Sequence, residues 1–203
     1  NDINDAPSAI NLTGSLYVNE NDTGGIVGNI TTSDEDANEN HTYTISGMDA
    51  DSFEIVNGEL KLKDSINPVY QTQSTYSIAV TSTDKGGAAI TRSYIVEVNT
   101  APTAFSLGNN SVDENYVGSQ VGALTVIDAN TNDEFTYTIS GEGAESFEVV
   151  DGQLMVKSGT WLDYETKSTY TLTINITDQG GYSIENTVTI NVNDVDYGNP
   201  WFS

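Results

Sequence analysis

Ser74-Thr75-Tyr76-Ser77-Ile78-Ala79-Val80 and its copy Ser168-Thr169-Tyr170-Thr171-Leu172-Thr173-Ile174 decide the fold class. In both stretches large apolar side chains fall on every second residue, and small or polar ones lie between them. A period of two puts alternate side chains on opposite faces of an extended chain, so one face is buried and the other wet. The pattern resumes at Ile90, Tyr94, Val96 and Val98 after Gly86-Gly87, which reads as a hairpin turn. Short runs of this kind, parted by Gly, Asn and Asp, number about seven in each copy, and no segment has convincing helical periodicity. About seven short antiparallel strands in roughly 100 residues predict an immunoglobulin-like Greek-key β-sandwich.

The copies are two units in tandem. Residues 17–100 laid on residues 111–194, at a constant offset of 94 without gaps, are identical at 35 of 84 positions. Thr42-Tyr43-Thr44-Ile45-Ser46-Gly47 recurs at 136–141, and Ser52-Phe53-Glu54 recurs as Ser146-Phe147-Glu148. Repetition at a fixed period is the signature of a repeat protein. The boundary falls at Thr100-Ala101-Pro102, with an equivalent entry at Ala6-Pro7. The chain therefore divides into a linker at 1–6, a first repeat at 7–100, a second at 101–196, and a tail or start of a further domain at 197–203. Its opening, Asn1-Asp2-Ile3-Asn4-Asp5, reads as the interior of a longer protein.

Thirty acidic residues against six basic ones give a formal charge of −24. Such a surface repels phosphate backbones, so nucleic acid is excluded as a partner. No run of 18 apolar residues is present to enter a membrane. Eleven tyrosines and two tryptophans favour a folded chain over an acidic disordered one. With no cysteine there is no disulfide, no thiol redox chemistry and no thiolate zinc site. His41 is the only histidine, and its counterpart is Phe135, which removes the basis for a catalytic triad. The carboxylates are spread along the repeats rather than paired as in a glycosidase, and no enzymatic activity is expected.

Those carboxylates recur at matching places. A Glu sits in Val18-Asn19-Glu20-Asn21 and again in Val112-Asp113-Glu114-Asn115. Asp34-Glu35-Asp36 is matched by Asp128-Ala129-Asn130, and an Asp precedes each Gly-Gly, at Asp84 and Asp178. Leu162-Asp163-Tyr164-Glu165 appears in the second copy. Linker segments read Asp2-Ile3-Asn4-Asp5, Glu97-Val98-Asn99-Thr100 and Asn191-Val192-Asn193-Asp194. Calcium takes six to eight hard oxygens from such groups. Taken singly, each acid is ordinary for a turn or strand end.

In that order, the motifs resemble the cadherin repeat family: an early Glu, an Asp-x-Asp, a Leu-Asp-Arg-Glu-like segment, a hairpin Asp and an Asp-x-Asn-Asp linker. The absence of cysteine and the Ala-Pro linker look more like bacterial cadherin-like repeats of a large surface adhesin. The resemblance implies calcium at the junctions between repeats. At the N-terminal junction it selects Asp2, Asn4, Asp5, Asp34, Asp36 and Asp84. At the C-terminal one it selects Glu114, Asp163, Glu165 and Asp194, with Asn191 in place of an Asp. The middle junction departs from the pattern. Glu20, Asn99, Asp128 and Asp178 remain, but Glu97 and Asn130 replace aspartates, Thr100 replaces another, and Val69 and Gln71 stand where Asp163 and Glu165 would be. One ion, toward the second repeat, is expected to persist there and its companion to be lost, leaving this junction flexible.

The function implied is a calcium-stiffened, extracellular, cell-surface adhesion module. Its partners would be the adjacent repeats of the same chain and another surface protein or polysaccharide. The alternative is a carbohydrate-binding accessory module of a secreted polysaccharide-degrading protein, with Tyr17, Tyr116 and Trp161 as stacking rings. Sequons such as Asn11-Leu12-Thr13 and Asn175-Ile176-Thr177 read as accidents of an Asn- and Thr-rich chain.

Overall fold

The computed structural model describes residues 4–36 and 40–195. The chain forms two compact units, Asn1–Thr100 and Ala101–Ser203. In the first, β1 (Ala9–Gly14), β3 (Ile26–Ser33), β6 (Glu59–Leu62) and β5 (Phe53–Val56) make one sheet in the order β1-β3-β6-β5. The other sheet runs β2-β8-β7-β4, from β2 (Tyr17–Asn19), β8 (Ala89–Asn99), β7 (Thr75–Thr83) and β4 (Thr42–Ser46). The second unit repeats this with β9 (Ala104–Leu107), β11 (Gln120–Ile127), β14 (Gln153–Val156) and β13 (Phe147–Val150) in one sheet. Its second sheet holds β10 (Ser111–Asp113), β16 (Ser183–Asn193), β15 (Thr169–Thr177) and β12 (Thr136–Ser140). Both units are immunoglobulin-like Greek-key β-sandwiches.

Among the described residues each unit has eight hydrogen-bonded segments where the pattern suggests about seven strands, because the first strand is divided between the sheets. β1 pairs antiparallel with β3, whereas β2 pairs parallel with β8. The crossing is made at Gly14, the last partner of Gly28 in the β1–β3 ladder. These residues have φ of 151° and 155°, and a Cβ on Gly14 would lie 2.6 Å from the Gly28 Cα. Only glycine permits that approach. The ladder of β3 with β6 also shifts register between Ile26 and Gly28, and the same shift recurs between Gln120 and Gly122.

Alternation supplies the cores as the sequence pattern requires. Tyr76, Ile78 and Val80 of β7 are buried, as are Tyr170, Leu172, Ile174 and Ile176 of β15. The duplicated Ser-Phe-Glu and Ser-Thr-Tyr motifs meet inside each sandwich. Phe53 packs edge-on against Tyr76 with ring centroids 5.4 Å apart, and Phe147 against Tyr170 at 5.3 Å. Among the described residues, helix is confined to single 3-10 turns at Ala50–Ser52 and Ala144–Ser146.

Candidate metal centres at the ends of the sandwiches

The long hairpins β7–β8 and β15–β16 each turn on an aspartate. The Asp84 N–H donates to Ala88 O at 3.0 Å, and Asp84 Oδ1 accepts the Ala88 N–H at 2.8 Å. Asp178 and Tyr182 exchange the same bonds at 2.9 and 2.8 Å. One carboxylate oxygen is thus used to close the turn. In the first unit the other, Asp84 Oδ2, accepts the Asn4 Nδ2 amide at 3.1 Å. Asp36 Oδ2 accepts the Asp5 N–H at 2.8 Å, and Asp34 Oδ1 accepts the Asp36 N–H at 3.1 Å. Asn4, Asp5, Asp34, Asp36 and Asp84 therefore gather at the entry end of the first unit. Asp2 lies outside the described residues.

His41 joins that group, which its lack of a counterpart did not foretell: its Nε2 lies 2.9 Å from Asp34 Oδ2. This bond and the Asp36 N–H hold the Asp34 carboxyl below the usual carboxylate range.

At the exit end, the early Glu of each repeat is aimed by its successor. Asn21 and Asn115 adopt left-handed φ of 65° and 64°, turning the chain directly after Glu20 and Glu114. Glu20 Oε1 then accepts the Tyr70 N–H at 2.8 Å, and Glu114 Oε2 the Tyr164 N–H at 3.0 Å. In the second unit this brings Glu114 together with Asp163 and Glu165, with one carboxylate oxygen from each lying within 4.8 Å of the others. Glu114 Oε1 also takes the Val195 N–H at 3.0 Å, at the stretch that carries Asp194. The Thr166 hydroxyl, with the backbone N–H groups of Thr166 and Glu165, keeps Asp163 below the ordinary range despite desolvation. Glu165 is pushed the other way. Its own backbone N–H favours the charged form, but desolvation, the charges of Glu114 and Asp194 and the bond to Asp163 together outweigh it.

In the first unit the corresponding loop carries Val69 and Gln71 and adds no carboxylate to Glu20. Asn99 there is buried and gives its amide to Asn19 Oδ1 at 3.2 Å, while Glu97 is half-buried along β8. Asn191 is exposed on β16, with its N–H bonded to Asn110 O at 2.8 Å.

The second unit gathers a further set at its entry end, Asp128, Asp133 and Asp178, again with one oxygen each within 4.8 Å. Asn130 is buried beside them and gives its backbone N–H to Asp128 Oδ1 at 2.9 Å. Asp133 was not among the residues singled out from sequence. The available signal was Glu39, an acid at the matching position of the first copy.

Burial separates these residues from ordinary surface acids. The buried polar or charged residues among those described are Ser82, Asp84, Asn99, Glu114, Asn130 and Asp178. All but Ser82 belong to the set read from the sequence. A buried carboxylate is costly unless a cation or dense hydrogen bonding offsets it. Glu114, 4 % exposed, and Asp84, 6 % exposed, have no Lys, Arg or His at ion-pair distance among the described residues. The donors are hard oxygens, with neither thiolate nor imidazole in the two clusters of the second unit. That chemistry fits calcium or magnesium rather than zinc or copper.

Residues 109–193 match the family model of the cadherin domain. The chain belongs to the cadherin repeat family. Cadherin domains are extracellular adhesion modules rather than enzymes, and they bind calcium in general. Human Protocadherin Fat 1 is 28 % identical over 222 residues, covering 100 % of this chain and 5 % of that protein. Mouse Protocadherin Fat 4 is 32 % identical over 169 residues, covering 76 % of the chain and 3 % of its own length. The chain thus spans a twentieth or less of these cadherins. Both are animal proteins and lend nothing to the bacterial reading. Among solved structures, the chicken VE-cadherin EC1-2 fragment is 24 % identical with a TM-score of 0.44, covering 88 % of this chain and 97 % of that one. Human Protocadherin-24 EC1-2 is 23 % identical with a TM-score of 0.43, covering 96 % and 100 %. No helix among the described residues is long and apolar enough to cross a membrane.

Proposed function

We propose that this chain is a calcium-binding, non-enzymatic spacer and adhesion module of a cell-surface protein, whose end-of-sandwich carboxylates hold calcium and stiffen each cadherin repeat. The observation that carries this is Glu114, buried without a cationic partner among the described residues and grouped with Asp163 and Glu165. Asp194 enters the same field, through its effect on Glu165. The residues that would hold calcium are Glu114, Asp163, Glu165 and Asp194 at one end of the second repeat, and Asp128, Asn130 and Asp178 at the other. In the first repeat they are Asn4, Asp5, Asp34, Asp36 and Asp84. Bound calcium supplies positive charge that relieves repulsion among these groups; the protein supplies their positions. Neighbouring repeats of the parent chain and a surface protein or polysaccharide are the partners this reading implies.

Calcium that binds only the folded state adds RT ln(1 + [L]/Kd) to stability. With a Kd of roughly 10⁻⁴ M, common for extracellular modules, 1 mM calcium contributes about 1.4 kcal/mol per site. The melting temperature is expected to rise on going from EDTA to 1 mM calcium. Superimposable melting curves in the two buffers would sink the proposal.

A further inference from the structure

We infer that Asp133 is a calcium ligand at the entry end of the second repeat, supplying the carboxylate that Asn130 lacks. The inference rests on the calcium reading above and assigns one more residue to that centre. In the first repeat the Asp-x-Asp pair is intact as Asp34 and Asp36; in the second it is Asp128 and Asn130. An amide oxygen can coordinate but brings no charge, so Asp128 and Asp178 alone would leave two carboxylates for a divalent ion.

The loop after Asn130 corrects this. The Asp133 N–H donates back to Asn130 O at 3.4 Å, folding residues 130–133 into a turn. Gln179, the residue after the hairpin aspartate, donates its Nε2 to Asp133 Oδ1 at 2.8 Å, fixing the carboxylate beside Asp178. Carboxylate oxygens of Asp128, Asp133 and Asp178 then lie within 4.8 Å of one another. Calcium–oxygen bonds of about 2.3–2.6 Å leave the oxygens around one ion no more than roughly 5 Å apart, and the spacing of these three meets that limit. Asp133 is half-buried, as is Asp128, and Asp178 is buried. Three like charges held this close in a chain of net charge −24 have no stabilising role as a bare surface.

Calorimetric calcium titration of the whole 203-residue chain tests this, with circular dichroism as the check on folding. Asp178→Asn serves as the benchmark for loss of this centre. Asp133→Asn is expected to weaken the same centre about tenfold or more, because affinity follows ligand charge. Asn130→Asp combined with Asp133→Asn is expected to restore it by returning the carboxylate to the Asp-x-Asp position. If Asp133→Asn titrates like the parent while Asp178→Asn loses a site, Asp133 is no ligand and the calcium reading stands. If Asp133→Asn loses the site and the double variant does not recover it, the exchange of roles with Asn130 is overturned. No calcium uptake by the parent chain would overturn both readings.

Discussion

Glu165 shows at the scale of one residue what the acidic clusters cost without an ion. Its carboxyl is shifted upward in the folded protein, the net of a favourable bond to its own backbone against desolvation and the charges of Glu114 and Asp194. A raised carboxyl means that the folded chain holds this proton more tightly than the unfolded one. Its ionisation therefore subtracts from stability at neutral pH, and the loss recedes as pH falls into the carboxylate range. Glu165→Gln removes the charge but keeps the shape. In EDTA at pH 7 the variant is expected to melt above the parent; in millimolar calcium the order should reverse, because a ligand is gone. Thermal scans in the two buffers check this, and an unchanged order would show that Glu165 faces no ion. Candidate positions such as Glu20 with Glu114, Asp34 with Asp128 and Asp84 with Asp178 were legible in sequence because they recur at one offset. What was not legible depended on three-dimensional closeness. His41 had no counterpart to flag it, yet it reaches Asp34. Asp133 lies outside any short motif, and only the turn at 130–133 carries it to Asp178.

The divided first strand is the feature of the elements that alternation could not reveal. Period-two patterning says which face of a strand is buried, not which sheet it joins, so it cannot separate β1 from β2. The division is encoded instead by the Gly14–Gly28 pair, where the chain leaves β3 for β8. Two-residue turns were more readable in principle: Asn57-Gly58 and Asp151-Gly152 join β5 to β6 and β13 to β14 with positive φ at both residues of each. Gly28→Val would set a Cβ against Thr13 O at a φ of 155°. The substitution is expected to cost about 2–3 kcal/mol, measured by urea denaturation. Gly122→Val meets the backbone of Asn109, 2.7 Å from its N, without a positive φ, and should cost less. Equal losses at both sites would mean that close approach alone, and not backbone conformation, selects glycine there.

For the molecule as a whole, the two repeats share a fold but not a full set of candidate ligands, so on the proposed reading calcium should stabilise them unequally. The second repeat has carboxylate clusters at both ends, Asp128 with Asp133 and Asp178, and Glu114 with Asp163 and Glu165. The first keeps its entry set, but Val69 and Gln71 leave the exit end with Glu20 and no carboxylate from the facing loop. At about 1.4 kcal/mol per occupied site in 1 mM calcium, the second repeat gains roughly twice what the first does. For domains of this size each kcal/mol moves the melting point by about 4–8 °C, so one extra site is worth roughly 6–11 °C. Scanning calorimetry in EDTA and in calcium is expected to show two transitions that separate as calcium is added. The transitions can be assigned by Phe53→Ala and Phe147→Ala, each lowering its own repeat by about 3–5 kcal/mol. Replacing Val69→Asp and Gln71→Glu together should then give the first repeat a second calcium-dependent increment and draw the transitions back together. If calcium shifts both transitions equally in the parent chain, the exit end of the first repeat binds an ion without those carboxylates. Glu20 and Asn99 would then have to be sufficient ligands, and the meaning read into Val69 and Gln71 would be wrong.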